Sequence, residues 1–520
     1  AFDFDLVVFA TGFDAVTGTQ LMLGEASGEG TRTIGSDLRV ATSGSYTFDA
    51  ATGQYTYTNP GRISPGTDVE TWGVLGNVTL ELGGVTLKSI TAYRKVNADY
   101  DYDVDGTRFH IIDSTQRVKS KQFSQELLLS GQAFADKLDW TVGGLYFDEK
   151  PQSQDFVVSV ASLVYPGRGT DTYAFARNKS WGLFAQGTFD LTDALSVTAG
   201  ARYSQDKRGF TATSFNTLAN GGSSCLYTAA NGLALLPGFQ APCSIRQSAT
   251  FKEWSYTGSI NYQIGQDKLV YVRTSRGFRA GGFNPRINAP EVVGQFDPEI
   301  VNDYEFGIKA DWLDRTLRTN LALFYSKSKD VQQTVNGISP TNGAAITITE
   351  NIGTRKVKGV ELDLTMRPAP FLSVDAGVAY LHARSRNPAE LDVRYVQLTP
   401  PWTVSLGVNL DAPLSDSVRG KLRFDLSYRD KMHDGAPFRT ATGDIVHIGY
   451  MRDVTLLGAR ASLVHQDSGV ELSVYGRNLT NQLYAARGYV IPSLGLGLGT
   501  LAEPRVLGVE VKVPFGGSRN

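Results

Sequence analysis

Residues 422–429 read Leu-Arg-Phe-Asp-Leu-Ser-Tyr-Arg. A β-strand sends successive side chains to opposite faces. Leu422, Phe424, Leu426 and Tyr428 therefore share one face, and Arg423, Asp425, Ser427 and Arg429 share the other. Such a strand needs an apolar surround on one side and water on the other. The rhythm recurs. In 195–204, Leu195, Val197, Ala199, Ala201 and Tyr203 oppose Ser196, Thr198, Gly200, Arg202 and Ser204. In 360–367, Val360, Leu362, Leu364 and Met366 oppose Glu361, Asp363, Thr365 and Arg367. In 470–477, Val470, Leu472 and Val474 oppose Glu471, Ser473 and Arg477. About seventeen such strands, many with charged inner faces, predict an all-β transmembrane antiparallel barrel with lipid outside and a wet lumen.

The connections alternate in length. Residues 70–82 predict a strand, Gly83-Gly84 a tight turn and 85–98 the partner strand. Further short turns fall near 131–137, 191–195, 264–268, 311–316, 367–371, 411–418 and 465–469. Long polar connections fall near 99–116, 150–176, 208–249, 278–301, 329–352, 384–400, 430–449 and 480–502. Short turns at one end and long loops at the other predict that the long loops are extracellular.

Composition agrees. The 520 residues include 55 Gly, 23 Tyr and 26 Phe, which suit strands, turns and interfacial aromatic belts. No stretch approaches 18 consecutive apolar residues, so a membrane chain of this kind must cross as a closed barrel. The mean hydropathy of −0.18 fits strands half exposed to water. A net charge of −2 argues against a nucleic-acid partner. The start, with Asp3 and Asp5, lacks a basic region ahead of an apolar run; an exported protein needs such a leader, so it has been removed or the true start lies upstream.

Seven segments carry a resemblance: Arg202-Tyr203-Ser204, Ser275–Asn284 (Ser-Arg-Gly-Phe-Arg-Ala-Gly-Gly-Phe-Asn), Tyr304–Lys309, Asn351-Ile352-Gly353, Lys358–Glu361, Gly476–Asn481 and Pro504-Arg505. Their order and spacing resemble TonB-dependent outer-membrane receptors, sphingomonad-type in particular, over residues 70–515. The resemblance implies a barrel of 22 strands around a plug. Counted back from 503–515, the strand at 70–82 is the sixth. The plug and the first five strands, or most of them, are then not visible in this chain, and 21–69 is expected as an extracellular loop in which 37–49 and 52–58 could form a β-ribbon. Residues 516–520 form a tail after Phe515, where such barrels usually end on an aromatic residue.

Residues 1–20 read differently. Asp3–Ala15 resembles the Ala-Thr-Gly strand and turn of flavin-dependent, Baeyer–Villiger-type monooxygenases, and its run Leu6–Phe9 suits a doubly buried parallel strand. No Gly-x-Gly-x-x-Gly accompanies it, so a foreign segment without a redox role is expected.

The receptor resemblance implies uptake of a scarce solute, such as an iron–siderophore complex. It implies a TonB-type energy-coupling complex as partner, outer-membrane lipid around a monomer, no cofactor and no enzymatic step. The rivals are a passive porin-like channel and a monooxygenase remnant. Family members hold ligand with extracellular loops, which makes the loop aromatics Tyr100, Tyr102, Tyr165 and Tyr173 the candidate contacts; the alternative is girdle or loop packing. The acids of 99–105 could hold a divalent cation or be a solvated loop. The five histidines have no ligand spacing, so no metal site is expected. Cys225 and Cys243 lie in one Gly/Ser/Pro-rich connection. They pair in an oxidising compartment, or else are two loop thiols.

Overall fold

The computed structural model describes residues 2–15, 20–21, 45–49, 54–58, 66–103, 112–160, 168–217, 223–225, 243–285, 287, 292–338, 345–386, 396–434, 438–439, 445–446, 449–491 and 496–514. No α-helix occurs among them. One large antiparallel sheet dominates. Its strands are β1 (Phe2–Ala15), β2 (Gly66–Glu81), β3 (Val85–Asp103), β4 (Ile112–Ala133), β5 (Leu138–Val160) and β6 (Arg168–Asp190). They continue through β7 (Leu195–Thr217), β8 (Ser244–Ile264), β9 (Lys268–Arg279), β10 (Glu299–Trp312), β11 (Leu317–Lys329) and β12 (Thr354–Ala369). The last are β13 (Leu372–Arg386), β14 (Trp402–Pro413), β15 (Val418–Arg429), β16 (Val454–His465), β17 (Glu471–Arg477) and β18 (Val506–Lys512).

Each strand pairs with the next in sequence, so every connection is a hairpin. The seventeen strands from β2 to β18 are those the alternation predicts. The tight turns also fall where predicted. Phe134, Ala135 and Asp136, and likewise Leu313, Asp314 and Arg315, adopt positive φ to close theirs.

Two differences stand out. First, Phe2–Ala15 is not set apart. It pairs along its length with β2, from Phe2 against Leu80 to Ala15 against Thr67. A buried parallel strand of a nucleotide-binding domain has no place in that antiparallel ladder. Between β1 and β2, Ser45–Asp49 pairs with Gln54–Thr58 as a ribbon. Second, much of the predicted loops at 99–116 and 150–176 is strand. β4 has 22 residues, and β5, β6 and β7 have 23 each.

The faces separate as the alternation demands. Val272, Phe306, Leu323, Val360, Tyr380 and Trp402 all lie exposed on one face, and each is a ladder neighbour of the next. Leaving that much apolar surface open requires a hydrocarbon surround. Rings gather along one edge of this face. Trp72 and Tyr93 lie 5.4 Å apart, Trp181 and Tyr203 5.7 Å, and Tyr203 and Trp254 5.2 Å.

Candidate functional site: the polar face and its mouth

The opposite face is polar and carries ion pairs that cross strands. Arg423 on β15 gives a bidentate pair to Asp375 on β13, at 2.9 and 3.0 Å, and its Nε donates to Asp425 at 2.7 Å. Between the two acids in register lies Gly407 on β14. A Cβ there would strike both the guanidinium and the Asp375 carboxylate, so glycine is what lets the fork lie flat across β14. On β9 and β10, Arg273 pairs with Glu305 at 3.1 Å, and the Tyr271 hydroxyl donates to the other Glu305 oxygen at 2.7 Å. At the other end, Arg460 on β16 donates to Glu510 on β18 at 2.6 Å and to Ser473 on β17 at 2.9 Å. This wall presents fixed, paired charges to whatever fills the interior.

The long-loop end of that face is closed over in part. The 280–298 connection turns inward, and Phe283, Ile287 and Val293 pack on Ala174, Phe210, Ala212 and Ile245 from the polar faces of β6, β7 and β8. The Phe210 and Phe283 rings stack at 6.3 Å. Cys225 and Cys243 join this small core and are disulfide-bonded, closing a loop with a sequence separation of 18.

Side-chain amides pin the neighbouring connections. Gln332 Nε2 donates to the carbonyls of Ala280 and Asp297, both at 2.9 Å, while its own N–H donates to Glu299 at 3.0 Å. Asn351 Oδ1 accepts from the Asp297 N–H at 2.6 Å, and its Nδ2 donates to the Asp297 and Asp330 carbonyls, each at 2.8 Å. Asn284 Oδ1 accepts the Thr349 N–H at 2.7 Å. The hairpin Gln332–Ile338/Ala345–Asn351 is thereby tied to the 280–298 connection. A separate tie joins the last loops. Asp434, 4% exposed, accepts from Arg487 Nε and from the Gly488 N–H, both at 2.8 Å. At the base of the final connection Asn478 and Asn481 take positive φ. Asn478 Nδ2 donates to the Gln482 carbonyl at 2.9 Å, and Asn481 Oδ1 accepts the Arg505 N–H at 3.1 Å.

Several quoted motifs thus have a mechanical meaning. Asn284, Asn351, Asn478 and Asn481 each stitch a loop base to a backbone across a gap no strand ladder spans. Gln332 does the same outside any motif, and nothing in the local sequence marks it.

The predicted contact tyrosines scatter. Tyr100 lies on β3, half-buried, opposite Thr67 and Gln116; two-residue alternation puts it on the polar face. Asp99 and Asp101 point the other way, toward Arg117 at 3.9 Å and the Thr115 hydroxyl at 2.7 Å. Tyr102 follows on the same strand, with its side chain outside the described residues, as is the whole of Tyr165. Tyr173 lies on β6 on the face of Trp181 and Leu183, 40% exposed, away from the interior. No group of three or more metal-ligating side chains occurs among the described residues.

A wide antiparallel wall with an apolar outer face, a charged inner face and a loop-stitched mouth is the build of an outer-membrane barrel of the receptor class. The sequence matches the TonB dependent receptor-like, beta-barrel family over residues 11–479, and the chain belongs to that family. The match begins inside β1, so the later part of Phe2–Ala15 reads as barrel and not as monooxygenase sequence. Membership places the chain in a bacterial outer membrane.

A ferric-pyoverdine 358 receptor of Pseudomonas putida is 24% identical over 210 residues, covering 40% of this chain and 22% of that protein. Among solved structures, the ferric yersiniabactin uptake receptor FyuA of Yersinia pestis superposes with a TM-score of 0.70 at 17% identity, covering 92% of this chain and 66% of its own. The siderophore receptor PiuA of Acinetobacter baumannii gives 0.66 at 16% identity, covering 98% and 71%. The chain therefore spans about two thirds of these receptors and under a quarter of the pyoverdine receptor's length.

Proposed function

We propose that this chain is the barrel portion of a receptor for energy-coupled uptake of a scarce solute, with a ferric siderophore or similar metal chelate as its ligand class. The family match over residues 11–479 carries the reading. The relatives' names, which specify ferric-pyoverdine, ferric yersiniabactin and siderophore receptors, direct it toward iron chelates. The paired charges of the inner wall suit a plug held inside it, on which a TonB-type complex would pull. The stitched mouth suits loops that must hold a ligand without collapsing into the lumen. The work is capture and gating by a monomer in lipid, with no chemistry on the substrate. Tyr100, on the polar face near the long-loop end, is the contact residue we favour among the four tyrosines.

The test is radioiron uptake by iron-starved cells that depend on the receptor containing this chain, with a panel of ferric chelates and with or without TonB. Chelate-specific, TonB-dependent uptake is the expected result. Unselective flux that persists without TonB would return the porin reading.

A further inference from the structure

The stitches between the 280–298 connection and the hairpin Gln332–Ile338/Ala345–Asn351 gather more oxygen than their amides use. Asn351 Nδ2 reaches the Asp297 and Asp330 carbonyls together, and Gln332 Nε2 reaches those of Ala280 and Asp297. Main-chain oxygens from three separate segments, after β9, before β10 and after β11, therefore share two amide groups. The Glu299 carboxylate joins them, held by the Gln332 N–H at 3.0 Å.

Two groups at this node are buried without what their chemistry requires. Glu299 is 9% exposed, and that one N–H is its only partner among the described residues. Arg279 stands opposite it in register, yet is exposed and forms no ion pair among the described residues. Gln332 is 8% exposed; its Nε2 points at carbonyls, while its Oε1 is buried and accepts nothing. The two polar atoms of one amide lie about 2.3 Å apart, which sets Oε1 within about 5 Å of the Asp297 carbonyl. Val292 and Val331 beside the node are fully buried, and Ile352 nearly so. A carboxylate enclosed in such surroundings is costly unless a cation or several hydrogen bonds compensate it, and a buried amide oxygen needs a partner as well. On the open side stand two exposed carboxylates, those of Asp297 and of Asp330, the latter at positive φ.

The donors are carboxylate, amide and carbonyl oxygens, with no thiolate or imidazole among them. That set selects a hard divalent cation, and mixed oxygens carried on connections suit calcium better than the smaller, strictly octahedral magnesium. We propose that the node binds a calcium ion. The Glu299 carboxylate and Gln332 Oε1 are its buried ligands, the carbonyls of Ala280, Asp297 and Asp330 are at hand for further positions, and the Asp297 or Asp330 carboxylate closes the shell from the solvent side. The site needs only one buried carboxylate, so it forms no cluster of three acidic, histidine or cysteine side chains. The ion clamps the 280–298 connection to the hairpin, which makes the mouth firm where calcium is plentiful and loose where it is scarce. The site is independent of the identity of any transported solute.

The test is hydrogen exchange of the receptor containing this chain, purified in detergent, treated with EDTA, and given calcium chloride or magnesium chloride with no iron chelate present. Calcium sites of extracellular modules have Kd values of roughly 0.1–1 mM, and calcium at about ten times Kd slows opening about tenfold. The amides of 345–351 should therefore exchange about tenfold more slowly with calcium than with EDTA or magnesium. Glu299→Gln keeps an acceptor for the Gln332 N–H and removes the charge; it should abolish the calcium effect and leave the rate in EDTA near that of the unchanged protein. Asp297→Asn/Asp330→Asn alters only exposed side chains and serves if Glu299→Gln fails to fold; it should raise the calcium concentration needed for half-protection. Asp99→Asn/Asp101→Asn, in the acidic stretch of β3, is the control and should leave the effect intact. No slowing by calcium, equal slowing by magnesium, or a calcium effect that survives Glu299→Gln or the Asp297/Asp330 variant unchanged would overturn the site. Because no chelate enters the experiment, its outcome stands apart from that of the uptake test.

Discussion

The strands from β3 to β8 and those from β9 to β18 solve the same problem at different heights. The first group runs 19 to 23 residues per strand. The second runs 7 to 16. At about 3.3 Å per residue, a 23-residue strand is about 76 Å long and a 12-residue strand about 40 Å. Spanning hydrocarbon takes only about 9–11 tilted residues. The tall group therefore continues its ladders far beyond the apolar band, and backbone hydrogen bonds hold its upper part, with the disulfide tying β7's extension to β8. The low group stops its ladders early and holds its upper part with single side chains: Gln332, Asn284, Asn351 and the Asp434–Arg487 pair. A ladder spreads its support over many bonds, while a stitch concentrates it in one residue.

That contrast can be broken by experiment. The largest effect is expected from Cys225→Ser/Cys243→Ser, since freeing a loop of this length costs about 3 kcal/mol. Thermal unfolding followed in detergent should shift down, and the ladder amides of Gln332–Ile338 and Ala345–Asn351 should keep their exchange protection. Loosening of that hairpin on loss of the disulfide would show that the two groups are one unit.

Next comes Gln332→Ala, which strips the donor from the Ala280 carbonyl and leaves that of Asp297 to Asn351 alone. A cost of about 1–2 kcal/mol is expected, read as faster hydrogen exchange in 345–351 with β4–β7 unchanged. Unchanged exchange in that hairpin would mean its own ladder suffices and the stitch is idle.

Gly407→Ala should cost about 1 kcal/mol by evicting the Arg423 fork from the partly exposed Asp375–Asp425 pair. Arg423→Gln in the same background should then add almost nothing, and an additive loss in the double variant would sever glycine from fork.

The smallest effect is expected from Arg177→Ala on the tall group. Its pair with Asp148 at 3.3 Å is half open to solvent and is shared with Lys179 and Lys150. Less than about 0.5 kcal/mol should be lost, measured by denaturant midpoint. A loss as large as that of Gln332→Ala would erase the difference between ladder and stitch.

Much of the wall was legible in the sequence because period-two alternation is a local signal. Leu422–Arg429 shows its two faces without any partner, and Gly83-Gly84 shows its turn. The extra height was missed for a physical reason. Above the membrane both faces are wet, so Asp99-Tyr100-Asp101 reads as a polar loop although its acids and its tyrosine fall on opposite sides of a strand. Residues 1–15 were misread because a short apolar run cannot by itself tell a parallel strand from an antiparallel one. The mouth was legible only in part. Asparagines in motifs marked loop bases, but Gln332 and the Arg423–Asp375 fork join residues 52 and 48 positions apart. Such contacts exist only once register is set, and no local pattern announces them.

The unequal strand lengths have one more consequence. Among the described ladders the sheet is therefore cut obliquely, like a quill, tall along β4 to β7 and short from β9 on. Damage to one residue of a tall strand is shared by its neighbours along the ladder, whereas the same damage at Gln332, Asn351 or Asp434 unties a whole connection at once.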